Sequence, residues 1–332
     1  MFNLKLKKLL GFFSLFALIL TSLTGQSFAK KHPTYAQKVC NGQIQVVIHA
    51  SYGGGTDTTA RMMSIRTRRT LNTDIQIVGK RGGSGAKAQN YTLTRPKDGC
   101  TVMALTESHL YTMARGKSNM KIDDLVGVAR AMEEPTFVVV NAKNKELSTV
   151  KKMQKRAKKK PITVAIASIG GTEHIGMYTY SKAANIPFKA VSFGSGAQSL
   201  QALASGKVEA SLLNPSEAAA LIADKKIKAV VLLHDKALAD YPKVKTSYSM
   251  GHKVKVVTTR GYAVLKGTPQ STINEISKGM VKAMKHETFA NYLRGASLDP
   301  ATSPAGTEVW DKQLKENYKK AAAELKGLGL TK

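Results

Sequence analysis

Short apolar runs alternate with stretches of helical periodicity along most of the chain, and this restricts it to α/β architectures assembled from βαβ units with parallel sheets. The pattern predicts strand 44–49, helix 58–71, strand 75–78, a glycine-rich turn 79–85, helix 86–93, strand 101–105 after the Asp98-Gly99 turn, helix 108–115 and strand 126–132. The run 137–141 reads as a crossover into a second body that repeats the alternation: helix 149–159, strand 162–167, helix 174–184, strand 189–191, helix 196–204, strand 209–213, helix 216–223 and strand 229–233. A second crossover, 256–265, returns the chain. From Pro269 onward only helical periodicity is visible, with starts at Thr268-Pro269 and after Ser303-Pro304. Two α/β bodies joined by two crossing strands make a hinged clamp around a cleft.

Residues 1–29 read as a secretory leader: basic Lys5, Lys7 and Lys8, an apolar stretch 9–23, then Ser27-Phe28-Ala29. The apolar stretch is shorter than the ~20 residues of a membrane-spanning helix. With no comparable run later, the mature chain is expected to be exported and soluble, cleaved near Ala29. No cysteine follows the apolar stretch closely, so no lipid anchor is expected.

The formal charge is +29, and loss of the three leader lysines lowers it to +26. In a cytoplasmic protein this excess would point to nucleic acid, with 151–160 as the first suspect. Export argues against that partner. The segment also reads as one helix capped by Ser148, with Val150, Met153 and Ala157 on an apolar face among solvated lysines.

Cys40 and Cys100 are an even count in an oxidising compartment. Cys40 lies just before the first strand and Cys100 at the start of strand 101–105. If those strands are parallel neighbours, both thiols sit at one edge, opposite the ligand end, and a disulfide is predicted, with two free buried thiols as the rival reading.

The chemistry concentrates in strand-to-helix turns. Val46 to Arg61 reads VVIHASYGGGTDTTAR, an apolar strand running into three glycines and a helix start. The first amides of a helix have no intrahelical partner and carry the positive end of its dipole, so such a turn is an anion seat. It is not a nucleotide P-loop, because no Lys-Ser or Lys-Thr pair follows. Gly83-Ser84-Gly85 with Ala88 matches a dinucleotide fingerprint only faintly. A second turn, Ser168-Ile169-Gly170-Gly171-Thr172-Glu173-His174, and a third segment, Ser192 to Ala197, repeat the arrangement. Each could equally be a tight connection and nothing more.

GGGTD with Ala60-Arg61, Arg81-Gly82-Gly83-Ser84-Gly85, Pro96-Lys97-Asp98-Gly99, Ser168 to His174, Val208-Glu209 and Lys266-Gly267-Thr268-Pro269 occur in that order. The ordered set resembles the periplasmic solute-binding proteins of tripartite tricarboxylate transporters, also called Bug proteins, from about Ile44 to the C-terminus. The resemblance implies a two-lobed periplasmic binding protein fold of type II, each lobe an open α/β sheet, with residues 30–137 and 260–332 in one lobe and 138–259 in the other. It implies a monomer that captures a small organic acid and delivers it to membrane permease subunits, with no cofactor, no metal and no nucleic acid.

By the same resemblance the ligand-gripping loops are Ser51, Tyr52, Gly54, Gly55, Thr56 and Asp57 on one side, and Ser168, Gly170, Gly171, Thr172 and His174 on the other. Ser108, Ser195, Asn214 and Arg260 complete the expected set. Tyr52 stands where the family has a small residue or proline, Phe193-Gly194-Ser195 replaces Tyr-Lys-Gly, and Thr259-Arg260 replaces an aromatic pair. For single residues bland readings stand beside these: Asp57 as a dipole partner, His174 orienting its loop, Asn214 capping a helix, Arg260 in a surface ion pair.

Two rival functions are an exported α/β enzyme acting on a small anionic substrate and a polyanion-binding envelope protein. Against the enzyme, there is no GxSxG elbow, the histidines lack metal-ligand spacing, and neither cysteine neighbours a suitable base.

Overall fold

The computed structural model describes residues 34–330; the leader lies outside the described residues. The chain order is α1 (Tyr35–Val39), β1 (Gln43–Ile48), α2 (Gly55–Thr70), β2 (Asp74–Gly79), α3 (Ala86–Leu93), β3 (Thr101–Leu105), α4 (Glu107–Ala114), β4 (Leu125–Pro135), β5 (Phe137–Asn141), α5 (Val150–Ala157), β6 (Ile162–Ile166), α6 (Thr172–Ala184), β7 (Phe188–Ser192), α7 (Gly196–Ala204), β8 (Ala210–Leu213), α8 (Pro215–Ala223), β9 (Ile227–Leu232), β10 (Val257–Leu265), α9 (Gln270–Met284), α10 (Glu287–Gly295), β11 (Ala305–Gly306) and α11 (Thr307–Gly327).

Two sheets form, in the orders β11-β4-β10-β3-β1-β2 and β7-β6-β8-β5-β9. The chain leaves the first sheet between Pro135 and Phe137 and rejoins it at Val257. At that junction the Leu233 amide donates to the Thr136 carbonyl and the Val256 amide to the Leu233 carbonyl.

Both sheets are covered on both faces. On β1, Ile44, Val46 and Ile48 point to a core shared with Met63 of α2, Met280 of α9 and Leu293 of α10. Val47 points the other way, toward Leu110 of α4 and Trp310 of α11. This is the two-residue period of a strand buried on both sides. In the second sheet Val138 and Val140 of β5 face Met153 of α5 and Tyr180 of α6. Phe137 and Val139 face Leu203 of α7 and Ala218 of α8. Trp310 lies so close to β10 that a Cβ on Gly261 would sit 2.3 Å from its ring, and its Nε1 donates to the Tyr262 carbonyl.

The sheets are mixed, where the alternation predicts parallel ones. β1 pairs in parallel with β2 and β3, and β6 with β7 and β8. The strands that connect the sheets run the other way: β10 is antiparallel to β3 and β4, and β5 to β8 and β9. A local apolar pattern carries no strand direction, so this could not be read from it. The short β11, antiparallel to β4, breaks the helical C-terminal region.

Helices α2 and α6 begin at Gly55 and Thr172, a few residues before their predicted starts, because the glycine turns feed directly into the first helical turn. The basic helix α5 is capped by the Thr149 hydroxyl, which accepts from the Lys152 amide, rather than by Ser148, whose hydroxyl donates to the Lys145 carbonyl. Val150, Met153 and Ala157 are its buried face.

Cys40 and Cys100 form a disulfide with their Cα atoms 5.4 Å apart. Cys40 precedes β1 and Cys100 precedes β3, which are parallel neighbours, so the bridge clips the N-terminal edge of the first sheet.

Candidate functional site

At the C-terminal ends of β1 and β6 a cavity of about 750 Å³ opens between the two sheets. Open α/β sheets place ligands at that edge, where helix starts converge. Its wall includes Ser51, Gly55 and Thr56 from the β1–α2 turn, Ser168, Ile169 and Thr172 from the β6–α6 turn, and Ser192 to Gly196 from the β7–α7 turn. Arg81, Ser84 and Gly85 from the turn before α3, Ser108 of α4, Glu217 of α8 and Arg260 of β10 close the remainder.

The structure therefore brings Ser51, Gly55, Thr56, Ser108, Ser168, Thr172, Ser195 and Arg260 of the predicted set to one cavity. The others stand behind that wall. The Asp57 carboxylate turns back to accept from the Gly53 amide and pairs with Arg61 at 2.9 Å. Tyr52 is largely exposed, and its hydroxyl accepts from the Gly79 amide. Gly54 is pressed against Ser195, where a Cβ would come within 2.8 Å. Gly170, at φ +71°, donates its amide to His174 Nδ1 and accepts from Arg115 on its carbonyl. Gly171 packs its backbone on Ser168 and Ser108. Asn214 donates from Nδ2 to the Pro135 carbonyl and accepts from Arg260 through Oδ1.

Several helix-start amides are already engaged by the protein. The Gly55 amide donates to Glu217 Oε1 at 3.2 Å, across from one sheet to the other. Glu217 Oε2 accepts from the Asn214 amide, completing a capping box on α8. The same carboxylate lies against the first residue of α7, since a Cβ on Gly196 would meet Oε1 at 2.1 Å. Glu217 thus sits where the heads of α2 and α7 converge. On the opposite side the Thr172 amide donates to Ser108 Oγ at 3.1 Å, and Ser84 Oγ donates to the Ile169 carbonyl at 2.6 Å. Ser51 Oγ accepts from Arg81 and donates to Gln198 Oε1.

Arg260 is not in a surface ion pair. Only 5% exposed, it pairs through Nη1 with Glu134 at 2.8 Å, while its Nε is buried without a partner. Glu134 also accepts from the Ser216 amide and hydroxyl. Burial pushes the Glu134 carboxyl up, and the guanidinium pulls against that shift. Burial acts to lower Arg260, but the surrounding carboxylates, Glu134 first, hold it charged and above its ordinary range. Burial raises Glu173 to about 7, and its Oε2 has no hydrogen-bond partner. His49 and His109 stack edge to face at 4.1 Å, and burial holds His49 down at about 4, so it is neutral.

Sequence reasoning passed over Glu134, Glu173 and Glu217 as site residues. Glu217 carried a signal, its place three residues after Asn214, but only as a helix cap.

Two sheets linked by paired strands, with a polar cavity at the apposed helix starts, define the clamp architecture of periplasmic binding proteins. The family model described as the tripartite tricarboxylate transporter family receptor matches residues 59–330, and the chain belongs to that family. Protein BugT of Bordetella pertussis is 23% identical over 267 residues, covering 77% of this chain and 81% of that protein. The solved structure of MatC from Rhodopseudomonas palustris with bound malate superposes with a TM-score of 0.79 at 20% identity, covering 85% of this chain and 98% of that one. The periplasmic binding protein BugD does so with a TM-score of 0.81 at 18% identity, over 87% and 98%.

Proposed function

We propose that the chain is a periplasmic receptor that captures a small carboxylate in this cavity and presents it to the membrane subunits of a tripartite transporter. The two lobes, expected as residues 30–137 with 260–332 and residues 138–259, follow the two sheets, with Phe137 going with the second and Val257 to Thr259 with the first, and open and close about the Thr136, Leu233 and Val256 hydrogen bonds. The reading rests on one observation: helix starts from both sheets, together with Arg81 and Arg260, converge on a single cavity. Hydroxyls of Ser108, Ser168 and Ser195 add neutral hydrogen-bonding groups to the same space. Charge-assisted hydrogen bonds contribute about 1.5–3 kcal/mol each, so a few of them suffice for a micromolar complex. Membership in a receptor family, the malate held by MatC, and the leader-like first residues support the same reading. Binding here is non-covalent; the chain acts as a receptor and monomer, not as an enzyme.

A thermal-shift panel of organic acids tests it. A ligand that binds only the folded state raises the melting temperature, and Thr172→Trp, which fills the cavity, should abolish that rise, read against the variant's own unliganded melting temperature. An equal rise in the Thr172→Trp variant would remove the site.

A further inference from the structure

The positive charge of this chain is not spread evenly, and the strand order of the second sheet gathers much of it at one edge. β6, β7 and β8 run parallel, and β5 is antiparallel to both β8 and β9. β9 therefore runs with the other three, and β5 ends where they begin. The register agrees, with Asn141 beside Ile227 and Ile162 beside Phe188. Five connections consequently share that edge: 142–149, 158–161, 185–187, 205–209 and 224–226. The cavity, with Glu173 and Glu217 in its wall, lies at the other end of the same strands.

Eight lysines fall in those connections: Lys143 and Lys145 after β5, Lys158 to Lys160 before β6, Lys207 before β8, and Lys225 and Lys226 before β9. All are exposed. Against them stand Glu146, Glu209 and Asp224. Glu209 is held by Arg156, Glu146 lies 3.9 Å from the same guanidinium, and Asp224 takes Lys226 at 3.4 Å. The other seven lysines have no carboxylate within 4 Å among the described residues. Strands lie about 4.8 Å apart, so the edge is about 20 Å across. That is about two Debye lengths at 0.1 M salt, and the fields of neighbouring lysines merge into one positive face.

The face lacks what a protein partner needs. Interface centres are poor in lysine and are built on aromatic or arginine anchors. The large apolar side chains exposed among the described residues, Tyr52, Ile169 and Tyr248 among them, all lie outside the five connections. Ammonium groups on long mobile stems, with no apolar centre, suit a partner whose charges are also mobile, and a fluid layer of anionic headgroups is such a partner.

We infer that this edge of the second sheet adsorbs reversibly to a bilayer containing anionic phospholipid. The contact is electrostatic and superficial, since there is no apolar anchor to enter the hydrocarbon. β6 is five residues long, about 17 Å, so an adsorbed chain keeps its cavity clear of the headgroups. For a receptor that must meet membrane subunits, adsorption replaces a search through a volume by a search over a surface. Adsorption of this kind does not depend on which acid the cavity takes.

Sedimentation of the mature chain with vesicles of phosphatidylcholine containing phosphatidylglycerol, against vesicles of phosphatidylcholine alone, tests it. The expected result at about 0.1 M salt is binding to the anionic vesicles only, lost at about 0.5 M salt as the Debye length shortens. A lysine near an anionic surface strengthens binding about fivefold. The triple variant Lys158→Glu, Lys159→Glu, Lys160→Glu should then bind about a hundredfold more weakly. Lys143→Glu with Lys207→Glu, on two other connections, should weaken binding about twentyfold. A control triple, Lys278→Glu, Lys282→Glu, Lys285→Glu at the C-terminal end of α9, makes the same change in net charge on the first sheet's side and should weaken it several-fold less than the first triple. Acid binding, read by thermal shift on each variant, is expected to stay as in the parent. No binding to anionic vesicles, binding that survives the higher salt, or equal weakening in the two triples overturns the adsorption and leaves the receptor reading to its own test.

Discussion

Arg260 Nη1 and Glu134 Oε2 lie 2.8 Å apart with almost no solvent access, and the pair joins β10 to the carboxylate that also holds Ser216 of α8. Removing one member of a buried pair leaves a bare charge and costs about 3–5 kcal/mol, whereas exchanging both for apolar groups is often nearly neutral. Glu134→Ala is therefore expected to lower unfolding free energy by about that much in urea titrations. The double variant Glu134→Leu with Arg260→Met should recover most of it while losing carboxylate binding. Additive losses in the double variant would show that the two residues are not coupled.

The Gly55 position predicts a loss of stability that begins at Arg260. A Cβ there would come within 2.1 Å of Arg260 Nη2 and 2.9 Å of Glu217 Oε1, both reached from outside its own helix. Alanine is well suited to the first turn of a helix, so Gly55→Ala should cost α2 little. Arg260 stands on β10 of the same sheet as β1, so the clash falls within one lobe and drives the guanidinium off Glu134; the expected outcome is a lowered urea midpoint, with a loss approaching that of Glu134→Ala. An unchanged midpoint would mean that Arg260 makes room without leaving Glu134.

The elements that periodicity predicts are those whose cause is local. Ile44, Val46 and Ile48 announce β1 by alternation, and Asn214-Pro215-Ser216-Glu217 announces the start of α8 by its cap. The cavity turns were legible too, since a strand ending in three glycines before Thr56 has few other uses. What stayed hidden is set by partners far away in the chain. Glu217 does cap α8, as its spacing says, but its other oxygen reaches Gly55, 162 residues distant. Glu134 sits in an apolar strand and finds Arg260, 126 residues away. Strand direction in the mixed sheets belongs with these, because pairing partners and not side-chain patterns decide it.

The Cys40–Cys100 bridge closes a loop of 60 residues at the sheet edge remote from the cavity. Loop entropy makes such a cross-link worth about 4 kcal/mol. The Cys40→Ser, Cys100→Ser double variant should lose roughly that amount in denaturant unfolding while binding its ligand with unchanged affinity. Reduction of the parent with dithiothreitol should reproduce the loss. A fall in affinity at constant temperature, well below the melting point, would show that the bridge also shapes the cavity.

Glu107, in the first turn of α4, accepts from the Thr259 amide at 2.7 Å, and burial raises its carboxyl from an ordinary 4.5 to about 7. Between those two values the native state retains a proton that the unfolded chain has released. Stability from this group is then fully present below about pH 4.5, declines as pH rises through about 7, and is lost above it. Neutral His109, held well below its ordinary value by burial, acts in the opposite sense, losing stability as pH falls below about 6.5. The parent alone would thus show a blend of the two. Comparison with Glu107→Gln isolates the carboxyl: parent minus variant stability should fall from pH 5 to pH 8, by about 3 kcal/mol at the most. Urea midpoints at four pH values across that range measure it, and a difference that is flat, or that rises with pH, would place the Glu107 proton elsewhere.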